Sequence, residues 1–485
     1  MAEGPIATPL TEMPLRELSN QFARREISCL SVAEHCLAQR KLLDPGLHAY
    51  HQYYDDRLLD AARHADRLWE DGVAQGLCGI PFSIKNIMAA DGYTCYPGTR
   101  SAAPAAWETS GSIVALLQQQ YSLLTGTTHA SELAVGGLGV NEHWGMPRNP
   151  WDKTTARVPG GSSAGAAISV LQGACSFALG TDTGGSVRVP ASAAGMVGLK
   201  TTSGRWPVDG VVPLASRFDS VGVIARTVDD VRCVFDQIDT LAATADAQPG
   251  FTGTSLSDFR FTRASELCWQ GLDPGIGQAL ELALDDLHSA GAVIHDDDTL
   301  FAKAAELRDQ GPNTAAYECN ILLQTLFPSS PSVLSRHVAQ FLEGAKLVDE
   351  TAYRKRLAML IEWRAEVDAG LTARDIILSP TLRETPPTRA ATENPEVYAH
   401  YSDSLLHNTV LGSMNGLCAI TLPVGLDAEG IPVGLQLAAK ANCEATLLHV
   451  AALVEQAIGD SLQRCGYPPL IESLYNSRDT LNGAR

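Results

Sequence analysis

Three segments of this chain each set a polar side chain at the edge of an apolar run: "GIPFSIKN" (79–86), "VPGGSSAGAAISV" (158–170) and "GTDTGGSVRVPAS" (180–192). They contain Lys85, Ser162 and Ser186. A lysine whose stem is buried loses affinity for its proton, because desolvation disfavours the charged form, and such a lysine works as a base near neutral pH. A hydroxyl within its reach becomes a nucleophile or a relay for the proton. Around Ser186, the backbone of Thr183, Gly184 and Gly185 lets an acyl group come close to N–H groups that stabilise a developing oxyanion. Base, relay, nucleophile and oxyanion pocket together describe acyl transfer by a serine–lysine variant of the serine triad. Taken singly, the same residues have plainer explanations: a surface lysine at a strand end, a helix start capped by its own serines, a tight turn that tolerates no side chain.

For this chemistry the three segments must converge, and the intervening sequence supplies the means. "AGAAISVLQGAC" reads as a helix of small residues suited to close packing on a sheet, and "SFALG" as the strand that follows it. Ser162 precedes that helix and Ser186 follows that strand, so a helix laid antiparallel on its own strand brings the two serines together. From about 78 to 230, short apolar runs ("GIPFSI", "SIVALL", "YSLLTG", "FALG", "GVIAR") alternate with glycine-rich loops and small-residue helices. That alternation predicts an α/β sheet covered on both faces.

Residues 11–43 read as helical, with Ser31 and Glu34 as a capping box, and a second helix ends at Gly72. The best linker is "AATADAQPGFTGTS" (242–255). Beyond it come a helix, "IGQALELALDDLHSAG", and a strand, "AVIHD", then mostly helical residues 302–372. Strand texture resumes in "DIILSPT", "CAITLPVGL" and "GIPVGLQLAA", before a closing helix that stops at Gly459. The expected division is an N-terminal helical segment (1–75) and a core (76–485) with a helical, substrate-side insertion at about 302–372.

With 485 residues, 45% of them hydrophobic and 19% charged, the chain has the composition of a globular protein. A formal net charge of −19 repels phosphate backbones and argues against a nucleic-acid partner. No apolar stretch approaches the length of a membrane span, and the N-terminus lacks the pattern of a signal peptide, so no membrane partner and a cytoplasmic location are expected. The 11 cysteines form no C-x-x-C pair and read as reduced, buried thiols, and the 12 histidines show neither H-x-x-x-H nor H-E-x-x-H spacing, so no metal site is expected. A G-x-S-x-G centred on Ser163 offers a rival, the nucleophile elbow of an α/β-hydrolase. The polar "WDKTTARVP" before it is not the apolar strand an elbow needs.

"PGGSSAG" and "TDTGGSVRVPAS", followed by "GLKTTSGR" and "TVDDV", resemble the amidase signature hydrolases. The resemblance runs from about residue 10 to the closing helix and is densest from 79 to 230. It implies the amidase signature fold, an α/β architecture with a mixed central sheet covered by helices on both faces. By motif position it makes Ser186 the nucleophile, Ser162 a bridging serine in a cis peptide, and Lys85 the general base. The oxyanion hole falls on the backbone of Thr183, Gly184, Gly185 and Ser186, while Asp182 and Arg188 read as supports of the loop. No metal or cofactor is implied. The expected substrates are small carboxylic amides, aryl or alkyl, with carbamates (urethanes) or esters as the alternative; a non-catalytic or amidotransferase-type complex subunit is the other reading.

Four positions depart from the family pattern. Asn86 stands where many members have aspartate, and the missing charge favours a neutral Lys85. His129 replaces a common asparagine and Cys418 a common proline, both in segments expected to bear on substrate. Leu406 stands where glutamine-specific members carry aspartate, which predicts a free-standing hydrolase, monomer or homodimer. Together with "CNILLQTLF" and the helices of 302–372 it also predicts a hydrophobic pocket.

Overall fold

The computed structural model describes residues 10–242, 250–296, 299–311, 313–327 and 334–482. Its strands are β1 (Tyr50–Gln52), β2 (Pro81–Lys85), β3 (Leu123–Thr128), β4 (Phe177–Asp182), β5 (Val197–Lys200), β6 (Ser220–Ala225), β7 (Arg260–Arg263), β8 (Ile294–Asp296), β9 (Asp375–Pro380), β10 (Cys418–Leu426) and β11 (Pro432–Ala439). They form one 11-stranded sheet in the order β1-β3-β2-β4-β6-β5-β10-β11-β9-β7-β8. Strands β3, β2 and β4 run parallel, as do β9, β7 and β8, while the strands between them pair antiparallel. The sheet is therefore mixed, and helices lie against it.

Strands β2, β4, β5, β6 and β9 are buried at every position. A strand covered on both faces has no solvent side, which is why "FALGTD" and "SVGVIA" show no alternation of polar and apolar residues. Phe82 of β2 stacks on Phe177 of β4 with ring centroids 5.5 Å apart, tying the two strands that carry the candidate residues.

The first helices are α1 (Leu15–Arg24), α2 (Cys29–Leu47) and α3 (Asp55–Glu70). The expected single helix over 11–43 is thus two, broken where Arg25 takes a left-handed conformation. The cap of α2 is Ser28 rather than Ser31: the Ser28 hydroxyl accepts from Ser31 N–H at 3.0 Å, and the Asp66 carboxylate accepts from the N–H groups of Cys29 and Leu30 at 2.6 and 3.1 Å. A carboxylate 36 residues away in sequence from Leu30 thus does what a local capping box was expected to do. "SIVALL", grouped above with the strands, opens helix α4 (Ser112–Gln119).

Helix α5 (Ala164–Leu171) packs on β4 and β2, and α6 (Arg188–Ala194) follows β4 directly. Helix α5 starts close to the chain because Gly165 has no Cβ; one there would lie 2.2 Å from the Ala49 carbonyl oxygen. After α7 (Val228–Ala242) and α8 (Pro274–Ser289) comes a run of helices: α9 (Leu300–Gln310), α10 (Thr314–Leu326), α11 (Arg336–Glu343) and α12 (Glu350–Gly370). Next come α13 (Pro395–Ser404), α14 (His407–Met414) and α15 (Glu444–Ile458), with two further helices at Ser461–Cys465 and Pro469–Asn482 beyond the one expected to close the chain. Residues 243–249 of the expected linker lie outside the described residues.

Among the described residues no helix is long and apolar enough to cross a membrane, and no group of three or more His, Cys, Asp or Glu is placed to hold a metal ion. All 11 cysteines are free thiols.

Candidate active site

Strands β2 and β4 lie parallel with Ile84 opposite Leu179, so Lys85 sits at the carboxyl end of β2, beside the residues that enter the 183–187 loop. Carboxyl ends of parallel strands are where open α/β sheets hold their ligands. Lys85 is fully buried, and its Nζ donates to Ser162 Oγ at 2.7 Å and to Thr181 Oγ1 at 2.8 Å. Burial draws its pKa down to about 7, against a smaller opposing pull from the Asp182 and Asp219 carboxylates. Thr181 was not singled out in the sequence, although it sits inside the "GTDTGGS" stretch; its contact with the lysine is visible only once β4 is laid beside β2.

The Gly161–Ser162 peptide bond is cis. Ser162 is buried, its carbonyl accepting from Ser131 N–H at 3.1 Å, and the next N–H, of Ser163, donates to the Ser186 carbonyl at 3.1 Å. The helix-on-strand geometry therefore joins the two serine segments. The rival Ser163 is fully buried, and its Oγ donates to the Thr181 carbonyl at 3.3 Å. No histidine among the described residues is hydrogen-bonded to it, so a nucleophile elbow is not what this turn builds.

Asp182 and Arg188 brace the loop. The Asp182 carboxylate accepts from Gly185 N–H at 2.7 Å, Val187 N–H at 3.2 Å, and Arg188 Nε and Nη2 at 3.0 and 2.8 Å. Burial pushes its carboxyl up, but Arg188, Lys200 and the donated backbone N–H outweigh that and hold it below the ordinary carboxylate range. Arg188 in turn donates to the Thr409 carbonyl, Gln436 Oε1 and Ser413 Oγ, fastening the loop to α14 and β11. Asp219, missed in the sequence, accepts from Thr183 Oγ1 at 2.5 Å and from the N–H groups of Leu214 and Ala215. Burial raises its pKa to about 6.

The expected oxyanion donors need one correction. Gly185 N–H is spent on Asp182, whereas the N–H groups of Thr183, Gly184 and Ser186 meet no acceptor among the described residues. Gly185 is required for another reason: its φ is +140°, and a Cβ there would lie 2.1 Å from Thr409 Oγ1.

Ser186, Thr183 and Gly184 line a cavity of about 350 Å³, within the size range of small-molecule sites. Lys85 and Ser162 lie behind them. Its apolar walls include Leu214, Phe218, Phe341, Leu360, Leu406 and Met414, and its charged residues are Arg308, Arg356 and Asp403. The expected hydrophobic pocket is thus partly charged. None of the residues of "CNILLQTLF" lines it, and Ile321 in that stretch is exposed. His129 and Cys418 do not line it either. His129 packs against His48 and His51, with ring centroids 5.5 Å from each, and burial lowers its pKa to about 3. Cys418 is buried in β10, its thiol on the carbonyls of Ala439 and Lys440.

The protein-family model described as "Amidase" matches residues 31–448. A 2-amino-5-chloromuconic acid deaminase of Comamonas testosteroni is 38% identical over 460 residues, covering 94% of this chain and 99% of that protein. A glutamyl-tRNA(Gln) amidotransferase subunit of Ruminiclostridium cellulolyticum is 28% identical over 485 residues, covering 94% and 99%. The solved structure of a 6-aminohexanoate cyclic dimer hydrolase superposes with a TM-score of 0.80 at 23% identity, covering 95% of this chain and 99% of that one. At that identity the likeness speaks to the fold.

Proposed function

This chain belongs to the amidase family, hydrolases that act on C–N bonds, and from that premise we propose that it hydrolyses a small carboxylic amide through an acyl-enzyme on Ser186, with Ser162 as relay and Lys85 as base. The observation that carries the reading is the buried Lys85 Nζ at 2.7 Å from Ser162 Oγ, just behind a serine that opens on the cavity. A lysine held near a pKa of 7 is neutral in a large fraction of molecules at neutral pH, which a base requires.

In the proposed reaction Ser186 Oγ attacks the carbonyl carbon while its proton passes to Ser162 and the Ser162 proton to Lys85. The oxyanion forms against the N–H groups of Thr183, Gly184 and Ser186. As the C–N bond breaks, the proton returns through Ser162 to the leaving nitrogen. Water then attacks the acyl ester by the same route in reverse, releasing the acid and restoring Ser186. The chemistry extends to esters, where only the leaving group differs, and to carbamates, where Ser186 would carry a carbamoyl or alkoxycarbonyl group instead of an acyl group.

A second reading comes from the deaminase 38% identical to this chain. Water would cleave the C–N bond of an amino-substituted unsaturated acid in the same cavity, oxygen replacing nitrogen and ammonia leaving. The test of both is a panel of a primary amide, a p-nitroanilide, an aryl carbamate, a p-nitrophenyl ester and 2-aminomuconate, with released amine, phenol or ammonia followed for wild type and Ser186→Ala. Turnover of an amide that is lost in Ser186→Ala supports the acyl-enzyme. Equal activity in both proteins overturns it, and ammonia from 2-aminomuconate alone favours the second reading.

A further inference from the structure

Among the described residues, one cation of the cavity beside Ser186 makes no ion pair, although Asp403 also lines that cavity. Arg356, on α12, is 5% exposed yet lines the cavity together with Ser186. Among the described residues the other four buried arginines each meet a carboxylate: Arg40 on Asp55, Arg157 on Asp152, Arg188 on Asp182, and Arg205 on Asp239 and Glu444. Arg356 has none within ion-pair distance among the described residues. Its Nη2 donates to the Leu307 carbonyl in the last turn of α9, the use a helix C-terminus makes of a nearby cation. That accounts for one N–H; the others meet no acceptor among the described residues. Burial pulls its pKa down, and no neighbouring carboxylate pulls it back. The remaining N–H groups are not among the buried polar atoms left without a partner, so they are open to an anion that enters the cavity.

The seat for this guanidinium is built. Gly311 follows α9 directly, and a Cβ there would lie 2.3 Å from Arg356 Cζ, so the guanidinium fills the space where a side chain of residue 311 would be. Arg308, the second cation of the cavity, is already engaged by Asp309 Oδ1 at 2.8 Å and His407 Nδ1 at 3.1 Å.

We propose that Arg356 is a specificity-determining residue that binds a carboxylate on the substrate, so that the cavity selects small molecules with an anionic end, an apolar body and the scissile C–N bond. The planar fork of a guanidinium matches a carboxylate through two parallel hydrogen bonds, and Leu360, Phe341 and Met414 suit the carbon chain between the two ends. The assignment rests on the reading of this cavity as the site of C–N hydrolysis and names the substrates that site prefers.

Two measurements test it. The first is binding of malonate, succinate, glutarate and adipate by calorimetry to wild type, Arg356→Met and Gly311→Ala; none of the four has a bond to cleave. At least one should bind wild type and bind about 10- to 100-fold more weakly to both variants, the loss expected for a charge-assisted pair. Gly311→Ala displaces the guanidinium without removing its charge, and so serves if Arg356→Met fails to fold. The second is the ratio of kcat/KM for adipamic acid over hexanamide. It should favour the acid in wild type, mainly through KM, and fall by about the same factor in Arg356→Met, with Arg356→Lys between the two. A purely structural role would lower the melting temperature and leave both the ratio and the binding unmoved. The proposal is overturned if no dicarboxylate binds wild type, or if binding is equal in the variants. Dicarboxylate binding through Arg356 without amide turnover would retain the anion subsite and reject the hydrolytic reading. Amide turnover blind to charge would do the reverse.

Discussion

The two walls of the cavity are built on opposite principles. The wall around Ser186 comes from β2, β4 and the loop between β4 and α6, where Lys85, Ser162, Asp182 and Arg188 are all buried and each has named partners. The facing wall comes from α9, α11 and α12, which supply long side chains and one buried guanidinium that makes no ion pair among the described residues. Satisfied polar networks in a close-packed surround hold one geometry, which suits bond-making; a wall of side chains with an unanswered charge suits selection. Under the proposed function, reaction and preference should therefore be separable by mutation.

The largest effect expected is on the first wall. Ser186→Ala or Lys85→Ala should lower kcat about 10⁴-fold or more, and the double variant should be little worse, because the residues act as one unit. Leu360→Ala on the facing wall should instead raise KM by about tenfold. Steady-state kinetics on one substrate checks both; a collapse of kcat in Leu360→Ala would erase the contrast between the walls.

Stability should divide the same way. Arg188→Met leaves the Asp182 carboxylate buried and unpaired, and should cost about 3–5 kcal/mol in denaturant unfolding. Arg356→Met orphans no carboxylate and loses one helix-end hydrogen bond, so about 1 kcal/mol is expected. Equal losses in the two would mean that Arg356 has a counter-charge after all.

The effects of pH are smaller. As the proposed base, Lys85 must be neutral, so kcat/KM should rise with pH through about 7 and level off above it. Asn86→Asp adds a negative charge next in sequence to the lysine and should move that midpoint upward; an unmoved midpoint would assign the titration to another group. Away from both walls, burial lowers the pKa of His51 to about 4 and of His129 to about 3, from 6.5. Above 6.5 neither the folded nor the unfolded chain protonates them. Below it the unfolded chain takes up protons that the folded one refuses, so stability should fall as pH drops from 6.5 toward 4. Replacing His129 with Gln should flatten that slope in unfolding curves taken at several pH values.

The candidate residues of the first wall were legible because they depend on residue types in short runs. Glycine beside serine, a lysine ending an apolar strand, and a small-residue helix between them each carry a local signature, and the α/β sheet follows from the alternation of elements. The facing wall was legible only as helices and apolar texture. "CNILLQTLF" has that texture and yet lies off the cavity, because composition does not say which helix face turns inward.

What the sequence determined by itself was the candidate catalytic set, Lys85, Ser162 and Ser186, and the elements that carry them. Tertiary structure alone decided that Gly185 N–H turns to Asp182, that Asp66 caps α2, that Thr181 shares the lysine, and that Arg356 makes no ion pair among the described residues. Apart from the Gly185–Asp182 bond, made three residues apart, each of these depends on which charged or polar groups from distant parts of the chain come near one another in space. Spacing along a chain records periodicity, whereas hydrogen bonds and charge pairs are settled by distance in space.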